Sequence, residues 1–186
     1  MMNHTGTIEL QTQRLILRKF KIEEYQAMYD NWASEDEVTK YLTWPTHANP
    51  EVTKSVLTEW VGNYEKSDFY NWAIELKSEK TIIGNFSVVY VNERAESAIL
   101  GYCMGSRWWG KEIMKEAGLA VIKYLFTEVG FNRVAACHDK GNPASGRVMQ
   151  KMGMTYDGTL RSAAYSNQGI VDEVWYSILK SEYCGA

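Results

Sequence analysis

Apolar residues recur every three or four positions in three stretches, and this spacing predicts helices with one buried face. The apolar sets are Tyr25, Met28, Tyr29 and Trp32, then Val52, Val56, Trp60 and Tyr64, and then Ile113, Ala117, Ala120, Val121, Tyr124 and Leu125. Asn followed by Pro, at Asn49 and Asn142, predicts two helix starts. The Asn side chain accepts hydrogen bonds from the free N–H groups of the first turn, and Pro has no N–H that would need a partner there. Gly130 and Gly153 predict the ends of the third helix and of a fourth that begins after Asn142.

The apolar period changes to two between the second and third helices, which is typical of strands. Trp72, Ile74 and Leu76 alternate with Asn71, Ala73 and Glu75, and the alternation resumes over residues 82–90 after a turn. This pattern predicts an antiparallel hairpin. Further strands are predicted at residues 14–18, 98–104, 133–137, 154–163 and 171–179. Gly101 suits a bulge or the close approach of a ligand.

The order of these elements predicts a mixed α/β fold. Strands 98–104 and 133–137 are joined through a helix, so they should lie side by side in parallel, in a right-handed crossover. The expected fold class is therefore α/β (α+β mixed), with a mostly antiparallel central sheet of about six to seven strands, a parallel central pair and about four helices. With 186 residues, 45% of them hydrophobic, and no linker, residues 1–186 are expected to form a single domain.

Composition limits the partners. A formal net charge of −3 provides no basic field for duplex nucleic acid. No run reaches the roughly 18 apolar residues that span a bilayer, and the polar start is not a secretory signal, so we expect a cytoplasmic protein without a membrane partner. Three cysteines without a CxxC pair, Cys103, Cys137 and Cys184, predict free thiols in a reducing compartment. No metal site is expected, because His, Cys and acidic residues lack ligand spacing.

Candidate chemistry lies at two helix starts. Residues 107–113 read Arg107-Trp108-Trp109-Gly110-Lys111-Glu112-Ile113, and residues 142–145 read Asn142-Pro143-Ala144-Ser145. The start of a helix presents main-chain N–H groups and a positive dipole end to anions. The two motifs therefore suit the diphosphate of a nucleotide-containing cofactor.

These motifs resemble the GNAT superfamily of N-acetyltransferases, and in particular its RimJ/RimL-like branch, which acetylates the N-termini of ribosomal proteins. The resemblance covers nearly the whole chain. It is carried by residues 12–18, residues 36–45, Gly101-Tyr102, Trp109-Gly110-Lys111, Glu116-Ala117, Asn142-Pro143-Ala144-Ser145 and Gly153-Met154. It implies a GNAT-type fold, a single acetyltransferase domain and acetyl-CoA-dependent transfer of an acetyl group to a primary amine.

The resemblance also implies roles for individual residues. The diphosphate of acetyl-CoA would lie against Arg107, Trp108, Trp109, Gly110, Lys111, Glu112 and Ile113. Its pantetheine arm would pair with Tyr102, Cys103 and Met104, one of whose N–H groups would face the thioester oxygen. Asn142 would touch that arm, and Ser145 would protonate the departing thiolate. Glu112 departs from the family signature Q/R-x-x-G-x-G/A, whose last position is small, so we expect weaker coenzyme binding and tighter binding on Glu112→Gly.

The acceptor is less well defined. The resemblance puts it between the two N-terminal helices and the late hairpin, where Tyr41 and Trp44 are the predicted contacts. Candidate bases are Glu75, Glu96, Asp172 and Glu173, none of which a motif singles out. Without an evident base, an α-amine of pKa ~8 is an easier acceptor than a lysine amine of pKa ~10.4.

The reaction is expected to be direct attack in a ternary complex, by a protein that is a monomer or a homodimer. The sequence indicates no Ser-His-Asp catalytic triad. His138 and Asp139 are adjacent in a predicted strand, so their side chains should point to opposite faces and towards loops. Two alternatives remain open at this point. One is an acetyltransferase acting on a small-molecule amine such as a polyamine or an antibiotic. The other is a non-catalytic acyl-CoA-binding regulator, which Glu112 and the missing base would favour.

Overall fold

The computed structural model describes residues 2–183, and the prediction of a free thiol at Cys184 lies outside them. These residues form one eight-stranded sheet in the order β1-β2-β3-β4-β5-β6-β8-β7. The strands are β1 (Leu10–Gln11), β2 (Leu15–Arg18), β3 (Asn71–Leu76), β4 (Thr81–Asn92), β5 (Ser97–Met104), β6 (Arg133–Asp139), β7 (Thr155–Ser166) and β8 (Gly169–Leu179). The β5–β6 pair is parallel and the other neighbours are antiparallel, which confirms the predicted fold class. The additional strand is β1, which at two residues is too short to show an alternation of apolar and polar positions.

Five α-helices cover the sheet within the described part of the chain. They are α1 (Tyr25–Met28), α2 (Asp36–Thr39), α3 (Pro50–Asn63), α4 (Ile113–Tyr124) and α5 (Pro143–Lys151). A 3₁₀ turn precedes α1, and π-helical turns extend α1 and α4. Both predicted Asn caps are confirmed: Asn49 accepts bonds from the N–H groups of Glu51 and Val52, and Asn142 from that of Ser145.

The sheet is covered on both faces. Trp72 and Phe86 belong to the larger core beside α4, whereas Ala73 belongs to a smaller core formed with Trp32 and Leu57. Ala73 is therefore fully buried, although simple alternation would place it on a wet face. Covering both faces requires helices on each side, which the period of one hairpin cannot reveal.

The apolar stripe predicted on α3 needs correction. Val52 is 40% exposed, and the buried positions of this helix are Thr53 and Leu57. Four residues advance a helix by about 400°, so a strict four-residue repeat drifts by about 40° per step. The start of that repeat is thus turned away from the core.

The predicted significance of Gly101 is also resolved. A Cβ at this position would approach Val89 Cγ1 to 2.7 Å. Val89 lies at a register shift in β4, opposite β5. Gly101 thus makes room for a bulged neighbour in the sheet.

Candidate active site

The two central parallel strands separate partway along their length. β5 and β6 pair from Ser97 opposite Arg133 to Leu100 opposite Ala136, and β5 then continues to Met104 while β6 continues to Asp139. Main-chain N–H and C=O groups along the separated part of β5 need partners other than β6. A ligand with amide groups can pair with such an edge as an added strand does.

A cavity of about 540 Å³ lies at this separation. Its walls come from the end of β5, the turn before α4, the start of α5 and residues 37–42. Eleven of the predicted site residues line it: Tyr41, Tyr102, Cys103, Met104, Trp109, Gly110, Lys111, Glu112, Ile113, Asn142 and Ser145. The fold thus brings into one cavity residues more than 100 positions apart.

Three predicted site residues lie elsewhere. Arg107 pairs with the Glu79 carboxylate at 3.3 Å, and Trp108 is 1% exposed, with its indole N–H donating to Glu79. Trp44 packs against His47. The 3₁₀ turn before α4 directs Trp108 into the core because Gly105 packs against the Asn31 carbonyl, where no Cβ would fit.

The start of α4 can receive an anion. Gly110 and Glu112 have φ values of 74° and 59°, and the helix begins at Ile113 without a side-chain cap. Its first N–H groups therefore lack intrahelical partners and form the positive end of the helix dipole. Basic side chains also line the cavity: Lys111, Lys115, Arg147 and Lys151. These donors suit the diphosphate of a coenzyme.

The Glu112 carboxylate pairs with an α5 lysine. Its Oε1 accepts a hydrogen bond from Lys151 Nζ at 2.5 Å. This bond is the main reason that the pKa of Glu112 lies below its usual value. The negative charge that replaces a small residue of the family signature is thus matched by a positive one, and both side chains are about half exposed.

Ser145 faces the cavity next to a tyrosine on β5. The Tyr102 hydroxyl donates to the Ser145 main-chain oxygen at 3.1 Å and lies 2.9 Å from Ser145 Oγ. Burial raises the pKa of Tyr102, so its phenol stays neutral at physiological pH. Sequence reasoning gave Tyr102 a main-chain role and missed this hydroxyl, because its partner is 43 residues away.

Both described cysteines are free, as predicted, and neither is an activated nucleophile. Cys103 donates to Asn85 Oδ1 at 2.9 Å, and Cys137 donates to Glu173 Oε1 at 3.1 Å. Burial raises the pKa of each thiol to about 12, and the Glu173 carboxylate adds to the rise at Cys137. Attack requires the thiolate, which is scarce at neutral pH with such a pKa.

The candidate bases have other partners or positions. Glu75 pairs with Arg18 at 2.6 Å, Asp172 with Lys140 at 3.0 Å, and Glu173 with Cys137. Glu96 lies in the turn before β5, at the opposite end of that strand from the cavity. No carboxylate of this set lines the 540 Å³ cavity.

His138 and Asp139 form no catalytic dyad. His138 Nδ1 lies 2.7 Å from the main-chain oxygen of Asp139, and its ring stacks on Tyr176 and lies beneath Gly146 of α5. The expectation that His138 faces a loop is therefore wrong, because α5 covers this face of β6. Within residues 2–183, no cluster of His, Cys, Asp or Glu could hold a metal ion, and no helix has the length and apolarity to cross a bilayer.

Comparison with known proteins identifies the family. The family described as "Acetyltransferase (GNAT) domain" matches residues 14–155 of this chain. The uncharacterized N-acetyltransferase YoaA of Bacillus subtilis is 30% identical over 171 residues, covering 92% of this chain and 96% of YoaA. The [ribosomal protein uS5]-alanine N-acetyltransferase of Escherichia coli is 27% identical over 158 residues, covering 81% of this chain and 80% of the enzyme.

A solved structure supports the fold. It is RimL, a ribosomal L7/L12 alpha-N-protein acetyltransferase in complex with coenzyme A. The TM-score is 0.82 at 18% identity, and the match covers 92% of this chain and 98% of RimL. The predicted resemblance to the RimJ/RimL-like branch is confirmed at the level of family and fold.

Proposed function

Because the chain belongs to the GNAT acetyltransferase family, we propose that it transfers the acetyl group of acetyl-CoA to the α-amine of a protein N-terminus, by direct attack in a ternary complex. It is an acyltransferase, and acetyl-CoA is the cofactor of its family. The observation that carries the proposal is the cavity in which an uncapped helix start, the free edge of β5 and Ser145 come together. We also propose that residues 1–186 act as one acetyltransferase domain in the cytoplasm.

Different parts of the cavity suit different parts of the coenzyme. The first turn of α4, with Lys111 and Lys151, suits the diphosphate, and the free edge of β5 suits the amide groups of the pantetheine arm. When bound, acetyl-CoA supplies the acyl thioester, whose C–S bond breaks as a C–N bond to the amine forms. A main-chain N–H of residues 102–104 would stabilise the negative charge that develops on the carbonyl oxygen. A fixed donor of this kind lowers a barrier by roughly 3 to 4 kcal/mol.

Ser145 is the proposed proton donor. Its Oγ would deliver a proton to the departing sulfur, the attacking nitrogen would lose a proton to water, and water would return one to the serine, while the neutral Tyr102 hydroxyl would fix the direction of Oγ. Asn142 holds the serine by capping α5 at the Ser145 N–H. The raised pKa values of Cys103 and Cys137 favour direct attack over an acyl-enzyme on either thiol.

An α-amine acceptor is supported by two points. At pH 7 roughly a tenth of an α-amine of pKa ~8 is unprotonated, compared with far less of a lysine amine. None of the four carboxylates predicted as bases lines the cavity, whose two carboxylates among the described residues are Glu37 and the Lys151-paired Glu112. The second point is that two similar proteins are named a [ribosomal protein uS5]-alanine N-acetyltransferase and a ribosomal L7/L12 alpha-N-protein acetyltransferase.

Thiol release from acetyl-CoA tests the proposal. Peptides with a free Ser or Ala N-terminus and an internal lysine should release thiol, and the same peptides with a blocked N-terminus should not. Release with polyamines or antibiotic amines alone would assign a small-molecule acceptor. Coenzyme binding without release on any acceptor would overturn the enzymatic proposal and favour a regulator.

A further inference from the structure

The tip of the β7–β8 hairpin is bonded to a distant segment through one residue. The Asn167 side-chain amide donates to the main-chain oxygens of Thr39, at 2.9 Å, and Trp44, at 2.8 Å. The Asn167 main-chain N–H donates to the oxygen of Leu42 at 3.0 Å. One residue therefore supplies donors to three carbonyl groups spread over six residues.

That segment needs such donors. It follows α2 (Asp36–Thr39), a helix of a single turn. The last carbonyls of a helix lack intrahelical partners, and one isolated turn is too short to be stable in water. The position of this segment consequently depends on bonds from elsewhere in the fold.

We call residues 37–42 the partition, because cavities lie on both sides of it. The coenzyme cavity is lined by Val38, Tyr41 and Leu42, among others. On the other side is an open groove of about 640 Å³, which Thr39 and Asn167 line. Glu37 and Lys40 border both spaces.

The hairpin tip is also bonded to the opposite wall of the coenzyme cavity. Ser166, which is 2% exposed, donates its hydroxyl to Asp139 Oδ2 at 2.8 Å. Asp139 Oδ1 accepts from the N–H of Gly141, a residue of the loop before α5 that lines the cavity. The tip thereby fixes the partition relative to the loop that leads to Ser145.

We infer that Asn167 is a positioning residue for the acceptor: its bonds to Thr39 and Leu42, supported by a third to nearby Trp44, hold the partition where it borders both the thioester end of the coenzyme cavity and the open groove. The inference rests on the proposed function, in which the amine must reach the thioester past this wall. Asn167 itself touches neither the coenzyme cavity nor Ser145. Its effect should therefore fall on acceptor binding more than on coenzyme binding.

Asn167→Asp is the main test, because it keeps the shape of the side chain and replaces the donor with a charged acceptor facing two carbonyl oxygens. We expect the KM for a peptide acceptor to rise about tenfold or more, since the lost bonds become repulsive contacts. Asn167→Ala, which only removes the donor, should raise it about two- to tenfold. Neither variant should change kcat or the Kd for coenzyme A by more than about threefold.

Gln168→Ala is the matched control. Gln168 lies in the same turn and lines the same groove, and its described hydrogen bond uses its main-chain N–H. Its KM should equal that of the unmodified protein. If Asn167→Asp keeps the normal KM, or if its kcat and coenzyme affinity fall by as large a factor as KM rises, the positioning role is wrong.

Amide hydrogen exchange gives a second readout that needs no acceptor. Asn167→Asp should speed exchange over residues 37–42 by about tenfold relative to β5, because the partition loses its anchor. Unchanged exchange there would overturn the inference even if acetyl transfer to every tested amine had failed. Faster exchange without transfer on any amine would instead leave the anchor standing and reject the proposed function alone.

Discussion

Ser145→Ala is the substitution that most directly tests the chemistry of the cavity. It removes one hydroxyl and leaves the local structure supported. The Asn142 cap bonds the Ser145 main-chain N–H, and the Tyr102 hydroxyl keeps the Ser145 main-chain oxygen as an acceptor. The free energy of unfolding should consequently change by less than about 1 kcal/mol, the net value of a typical hydrogen bond.

The expected loss of turnover is much larger. General acid catalysis contributes roughly 10²- to 10⁴-fold. A thiol of pKa ~8.5 leaves readily, so the lower end applies: about 100-fold in kcat, or ~2.7 kcal/mol. Tyr102→Phe removes the contacts of the phenol with Ser145 Oγ and with its main-chain oxygen but leaves the serine hydroxyl in place, so its expected cost in turnover is ~0.5 to 1.5 kcal/mol, or about 2- to 13-fold.

The assay is thiol release at saturating acetyl-CoA and saturating acceptor, for both single variants and the double variant. In the double variant, loss of Tyr102 should add little to the loss caused by Ser145→Ala, because the tyrosine acts through the serine. Full turnover by Ser145→Ala, with acetyl-CoA saturating, would refute the proton-donor role. Multiplicative losses in the double variant would show instead that Tyr102 acts independently.

Three further predictions concern other parts of the molecule. Glu112→Gly should tighten coenzyme binding measured by calorimetry, because glycine adopts φ near 59° without strain and one negative charge is removed. Glu112→Gln separates the effect of the charge from that of the backbone. Unchanged or weaker binding by the glycine variant would contradict the prediction. Asn49→Ala should cost about 1 kcal/mol in urea unfolding, against almost nothing for Ser55→Ala in the same helix. Burial lowers the pKa of His47 below its ordinary 6.5, so the unfolded chain takes up the proton at a higher pH than the folded chain does. The contribution of His47 to the free energy of unfolding should therefore be full above pH 6.5 and fall below it. His47→Asn should remove this contribution, and a variant with the same pH dependence as the unmodified protein would contradict the reasoning.

Several elements could be predicted because the interactions that define them are local. The Asn49 and Asn142 caps bond N–H groups two or three residues away, and Gly130 and Gly153 take the left-handed conformation that ends a helix. The parallel β5–β6 pair follows from the chirality of a strand-helix-strand crossover. Period, caps and handedness are all readable along one stretch of chain.

The directions of individual side chains were harder to predict. Trp108 belongs to the core because Gly105 packs on a carbonyl more than 70 residues away in the sequence. Ala73 is buried because helices happen to cover both sheet faces. Such outcomes depend on the packing of elements whose contacts are remote in sequence.

The sequence alone determined the succession of helices and strands, the parallel crossover at the centre of the sheet, and the two helix starts where a coenzyme can be received. Only the tertiary structure decided that Tyr102 meets Ser145, that Lys151 compensates Glu112, and that Asn167 holds residues 37–42. The physical reason is the distance along the chain over which each kind of interaction acts. Periodicity and capping act within about four residues, whereas each of these contacts joins groups that only the folded sheet and its helices bring within hydrogen-bonding distance.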